Sequence, residues 1–172
     1  MENLFIWELL GFTFVSLFGT VLHFLYEWTG SNFFAAVSAV NESTAEHMKL
    51  FYFPMLILAL VQSLFFKGNS GFWTVKYISL SVGLTLIPVL FYTYNGAIGK
   101  SPDVLNIAIF FISAAVSFFV EYRLFKNGAF TRYNTLFFIL FIILGALFVI
   151  FTFHAPKILL FMDPISRSYG IK

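Results

Sequence analysis

Five stretches of the chain, roughly 4 to 26, 48 to 66, 72 to 95, 104 to 126 and 134 to 155, are almost unbroken runs of apolar residues. Each is close to the ~20 residues that carry an α-helix across a hydrocarbon core about 30 Å thick. None shows the period-two alternation of a barrel strand, and in lipid only helices and closed barrels satisfy every backbone group. The pattern predicts an all-α fold, an integral membrane bundle of five transmembrane helices. It reads as a single transmembrane domain over 1–172 with a short C-terminal tail at 156–172. The start, MENLF, has no basic segment, and no small-residue cleavage site precedes EWTGSN, so the first span is expected to stay in the mature protein.

The longest connection, about 27 to 43, contains SNFFAAVSAV, in which Phe33, Phe34, Val37 and Val40 recur at helical spacing behind Ser31. This predicts a short interfacial helix capped by Ser31. KGNSG at 67–71 reads as a tight turn. NGAIGKSPD at 95–103 ends one helix and starts the next, with Ser101 as cap, Pro102 at the first position and Asp103 at the positive end of the dipole. Pro54 lies inside the second span, where it frees a backbone carbonyl near Leu50.

Composition agrees with the pattern: 60% of the 172 residues are hydrophobic and only 10% charged. The net charge of +2 is scattered, which leaves no basic stripe for a nucleic-acid partner. The absence of cysteine excludes disulfides, thiolate metal sites and cysteine nucleophiles. Lys67, Lys76, Arg123, Lys126 and Arg132 fall on one side of the membrane, and Lys49, Lys100, Lys157, Arg167 and Lys172 on the other. Because Arg123, Lys126 and Arg132 gather around one short loop, the N-terminus is expected on the cytoplasmic side.

Polar residues inside the spans fall in stripes. Thr13, Ser16, Thr20, His23 and Glu27 follow at helical spacing along the first span, and Asn106, Ser113, Ser117 and Glu121 along the fourth. Such stripes are expected to face other helices, where hydroxyls hydrogen-bond across the seam. Lys76 and Glu121 are at similar depths on neighbouring spans, so they are expected to pair, with Glu8 as the alternative partner.

Following the up-down path of the helices gathers His23, Glu27, Glu42, Glu46, His47, Lys49, Tyr92, Asn95, Asp103, Asn106 and His154 on one membrane face. Every histidine is there. In NESTAEH, at 41–47, Ser43 and Glu46 have the spacing of a capping box, and Lys49 can pair with Glu46 or snorkel to the surface. Asn41, Glu42 and His47 then remain, beside His23 and Glu27 of the first span. Two imidazoles with a carboxylate are a zinc-binding set, so His23, His47 and Glu42 are candidate ligands of a divalent metal, although no H-E-x-x-H spacing is present. His47 is expected to turn inward, within reach of His23, Glu27 or Glu42.

NESTAEHMK, together with LHFLYEW and the terminal DPISRSYGI, resembles a family of uncharacterised small polytopic bacterial membrane proteins. The resemblance rests on His23, Tyr26, Asn41, Glu42, Ser43, Glu46, His47, Lys49, Asp163, Pro164, Tyr169 and Gly170. The chain departs from that pattern at Ala45, where an aromatic is expected, and at Ser166 and Arg167, where Thr-Gly is expected. The resemblance implies a helical bundle in the bacterial cytoplasmic membrane and supplies no mechanism.

The sequence thus gives a polar site of His23, Glu27, Asn41, Glu42, Glu46, His47 and Lys49 that would bind or transport a small polar ligand or cation. Five spans make a narrow path unless the protein is a homo-oligomer. A second reading is a His/carboxylate or metal-dependent hydrolase of a lipid-like substrate, and a third is a structural or assembly subunit.

Overall fold

The computed structural model describes residues 3–66, 71–99, 102–128 and 133–171. Five helices are long and apolar enough to cross a membrane: α1 (Leu4–Thr29), α3 (Thr44–Phe65), α4 (Phe72–Ile98), α5 (Asp103–Asn127) and α6 (Asn134–Phe153). A single turn, α2 (Asn32–Ala35), lies in the first connection, and a 3₁₀ turn (Leu159–Phe161) lies in the tail. The protein is an all-α, multi-pass membrane protein. Residues 67–70 of the expected turn at 67–71, the Ser101 cap, and the charges of Glu2, Lys67, Lys100, Arg132 and Lys172 lie outside the described residues.

Helices α1, α3, α4 and α5 form a ring in which each packs on the next, and α6 lies outside it against α4 and α3. α3 is the most buried and α6 the least. α6 turns only Phe141, Gly145, Phe148 and Thr152 inward, one narrow stripe at helical spacing. The α1–α3 approach is close because Pro54 has no N–H to offer the Leu50 carbonyl. That carbonyl faces Gly19, where an added Cβ would sit only 2.7 Å from the oxygen. The proline and the glycine therefore act as one device across the seam.

The expectation for the first-span stripe needs correction, whereas the expected short helix in the first connection is present as a single turn within SNFFAAVSAV. Ser31 stands at its N-cap without a side-chain cap bond, Phe33 is exposed, and Ser38 Oγ donates back to Phe34 O at 2.7 Å. The chain then leaves helical geometry because Val40 N–H is taken by Glu46 Oε2 at 3.0 Å. The first-span stripe does not face inward as a whole. Ser16 is buried and His23 half-buried, but Thr13, Thr20 and Glu27 are exposed. The buried face of α1 is Leu4, Glu8, Gly11, Val15, Ser16, Gly19 and Leu22. Thr13 and Thr20 can face lipid because each donates to its own i−4 carbonyl, at 2.9 Å in both cases.

At the face opposite the histidines, Lys76 and Glu121 form the expected ion pair, fully buried, with Ser79 Oγ donating to the second carboxylate oxygen at 2.9 Å.

Candidate functional site

NESTAEH builds the start of α3 and the site at once. Ser43, extended at φ −70° and ψ 152°, caps the helix and accepts from Glu46 N–H at 3.4 Å. The reciprocal half of the box is redirected. Glu46 reaches past Ser43 to Val40 N–H, while Ser43 N–H donates to Asn41 Oδ1 at 2.8 Å. The Asn41 amide then donates to Gly170 O at 2.9 Å, which ties the connection to the C-terminal tail. Lys49 does not snorkel. Its three N–H groups meet Glu46 Oε2 at 2.7 Å, Ala35 O at 2.9 Å and Thr152 Oγ1 at 2.7 Å, which saturates the ammonium in the interior.

With those residues engaged, three others meet. His47 Nδ1–H donates to Ser43 O at 3.0 Å, since a carbonyl can only accept, and this orients the ring. Its Nε2 lies 3.4 Å from Glu42 Oε2, and His23 Nε2 lies 4.0 Å from Glu42 Oε1. The two imidazoles are 5.4 Å apart between centroids. One donor atom from each of His23, Glu42 and His47 lies within 4.8 Å of the others. Glu27 is exposed one turn further along α1, and His154, at the end of α6, is exposed as well.

The electrostatics of this trio limit what occupies it. With Nδ1–H committed to Ser43, Nε2 of His47 faces a carboxylate either as the second N–H of an imidazolium or as a lone pair across a shared cation. The Glu42 carboxyl is held below the usual carboxylate range, first by its hydrogen bond with His47 and then by the charges of both imidazoles, against the opposing effect of burial. His23 Nδ1 is buried and has no hydrogen-bond partner among the described residues. In a tetrahedral zinc shell with metal–donor distances near 2.0–2.1 Å, donors stand about 3.3 Å apart. The 3.4 and 4.0 Å separations, one to each Glu42 oxygen, and the 4.8 Å limit on the whole set are wider than that spacing, so the three side chains would have to draw together to hold a metal.

Glu42 and His47 also line a cleft of about 510 Å³ between α3, α4, α5 and the tail. Its walls include Ile87, Phe91, Ile109, Phe110 and Met162, and its polar groups are Thr44, Tyr92, Asn95, Asp103, Asn106 and Arg167. Thr44 Oγ1 donates to Tyr92 OH, which in turn donates to Leu159 O, both at 3.2 Å, so α3, α4 and the tail are linked across one wall.

Sequence reasoning placed Tyr92, Asn95, Asp103 and Asn106 on this face but gave no role to Arg167. The tail is folded by Asp163, whose Oδ1 accepts from Ile165 N–H at 2.9 Å and whose backbone carbonyl accepts from Arg167 N–H at 2.9 Å. This turn holds Arg167 in the left-handed region at φ 58°, a conformation uncommon for a residue with a side chain. Asp163-Pro164 was the available signal, an acidic turn-former before a proline.

Fold and composition define a multi-pass helical membrane protein. The chain belongs to a family of unknown function, since the model described as "Family of unknown function (DUF6512)" matches residues 1–171. Neither a search of curated proteins nor a search of solved structures finds a match.

Proposed function

We propose that the protein binds a divalent metal ion of the zinc class through His23, Glu42 and His47, at the head of the amphiphilic cleft. The observation that carries this reading is the convergence of three ligand-type side chains from α1, the connection and α3, with the His47 tautomer set by the Ser43 carbonyl. Binding is favoured over transport because the interior beneath the trio is filled: Val15, Leu50 and Phe51 are buried there, and Gly19 is closed against Leu50 and Phe110.

The test is elemental analysis of the full chain, purified in nanodiscs with a tag free of histidine. Stoichiometric metal in the wild type, lost in His47→Ala and Glu42→Gln, is the expected result. A chain that takes up no zinc, manganese, cobalt or nickel at neutral pH would leave the trio as a charge-assisted hydrogen bond only.

A second reading, a metal-dependent hydrolase of a lipid-like substrate, is favoured by one observation. Two of the three donors open onto a cleft whose apolar walls suit an acyl chain and whose Arg167 suits an anionic headgroup. Arg167→Ala is expected to leave metal content unchanged and to weaken binding of an anionic amphiphile, read by displacement of a fluorescent lipid.

Glu42 also sets a pH dependence. Its folded pKa is depressed from the ordinary 4.5, so its stabilising contribution is complete above that value and is lost as pH falls through the lower folded value. In metal-free protein the melting-temperature difference between wild type and Glu42→Gln should shrink as pH falls below the ordinary carboxylate range; a difference that does not change there would show that Glu42 gains nothing from the imidazoles.

A further inference from the structure

α1 and α5 run antiparallel, with Gly19 against Phe110 towards the histidine end and Gly11 against Phe118 towards the opposite membrane face. That register sets Glu8 opposite Glu121. Glu8 is only 5% exposed, and among the described residues neither of its oxygens closes a hydrogen bond of ordinary geometry, although the Glu121 carboxyl faces it across the seam. Glu121 is already committed to Lys76 and Ser79. Gln62 of α3, wholly buried, also has both amide atoms without a hydrogen-bond partner among the described residues.

Two buried carboxyls thus share one ammonium. If all three were ionised, one negative charge would stand uncompensated inside the membrane, an arrangement that intramembrane sites avoid. We infer that Glu8, Glu121, Lys76 and Gln62 form a proton-binding site, in which Glu8 takes up and releases one proton beside the Lys76–Glu121 pair.

The step is a proton transfer to one carboxylate oxygen, giving a neutral acid whose O–H faces the Glu121 carboxyl. A sodium ion is disfavoured, because Lys76 occupies the cation position on Glu121 and repels a second positive charge. Among the described residues, the titratable groups facing Glu8 are Glu121 of α5 and Lys76 of α4, while α3 supplies the uncharged Gln62. Arg123 and Lys126 are turned towards the Phe119 and Tyr122 rings. Phe66, Phe72 and Phe125, with Trp7, form an aromatic cluster at this end of the bundle, which separates the site from water at the N-terminal face. Exchange is therefore slow and requires this cluster to open.

Infrared difference spectroscopy of the full chain in nanodiscs, equilibrated across a pH series, tests the inference. Expected is a protonated-carboxyl carbonyl band at neutral pH that disappears reversibly at alkaline pH and is absent in Glu8→Gln, with the melting temperature of that variant near wild type because Gln mimics the neutral acid. Carboxyl-¹³C glutamate labelling of the wild-type chain shows whether the band belongs to a glutamate rather than an aspartate, and Glu8→Gln assigns it among the glutamates. No glutamate band at any pH, or one that persists unchanged into alkali, overturns the proposal. So does a band removed by sodium at fixed pH, which would make the site a cation site.

Discussion

Glu121→Gln is expected to lower folding stability by about 3–5 kcal/mol, the range for breaking a buried ion pair by removing one partner. Lys76 and Glu121 are both fully buried, so the ammonium left behind has no water to turn to. Ser79 would donate to an amide in place of a carboxylate, a weaker acceptor. Denaturation by dodecyl sulfate in mixed micelles measures the loss. Glu8 is a reserve partner one helix away, and it makes the cycle informative. Glu8→Gln alone should change little, but added to Glu121→Gln it should cost a further ~1–3 kcal/mol, the coupling typical of groups in one network. Additivity within about 0.5 kcal/mol would show that Glu8 never serves Lys76.

Lys49→Met is expected to cost a similar ~3–5 kcal/mol, for a different architectural reason. Lys49 holds together α3, the end of α2 and α6 through Glu46, Ala35 O and Thr152. Removing the ammonium leaves the Glu46 carboxylate, 4% exposed, with only the Val40 N–H, and orphans the Ala35 carbonyl. Methionine keeps most of the volume, so the loss reports charge and hydrogen bonding rather than a cavity. The same denaturation assay applies. Hydrogen exchange should show the connection at 32–43 loosening first, because Glu46 would lose its fixed position and Val40 its anchor. A cost below about 1 kcal/mol would mean that the interior readily admits water to Glu46.

Helix number and placement were legible because a bilayer imposes a length: apolar runs near 20 residues leave the chain few other options. Boundaries shifted where local chemistry intervened. α3 begins at Thr44, four residues before the apolar run at 48, because Ser43 caps it there. α4 runs to Ile98 before Gly99, at φ 71°, ends it. The Lys76–Glu121 pair was legible from depth alone, since ionisable groups buried at equal depth on adjoining helices have few alternatives to each other.

The candidate site was legible as a membrane face and, within it, as the candidate set His23, Glu42 and His47; that this set meets while Glu27, Glu46 and Lys49 stand apart from it was not. The up-down path determines which face each residue is on, so His23, Glu42 and His47 were already neighbours in one dimension. Rotation about each helix axis and the path of the connection are set by tertiary packing. Gly19 against the freed Leu50 carbonyl fixes how α1 meets α3, which brings His23 to His47 and leaves Glu27 outside. The Lys49 network decided that Glu46 and Lys49 serve the scaffold, because three acceptors from α2, α3 and α6 converge where no sequence spacing links them. The sequence alone determined the number of spans, the face that carries each polar residue and the cap of α3, all matters of length, parity and local spacing. Which polar residues touch was decided by the tertiary structure, because side-chain contacts between antiparallel helices depend on register and rotation, and close-packed glycine and proline positions fix both.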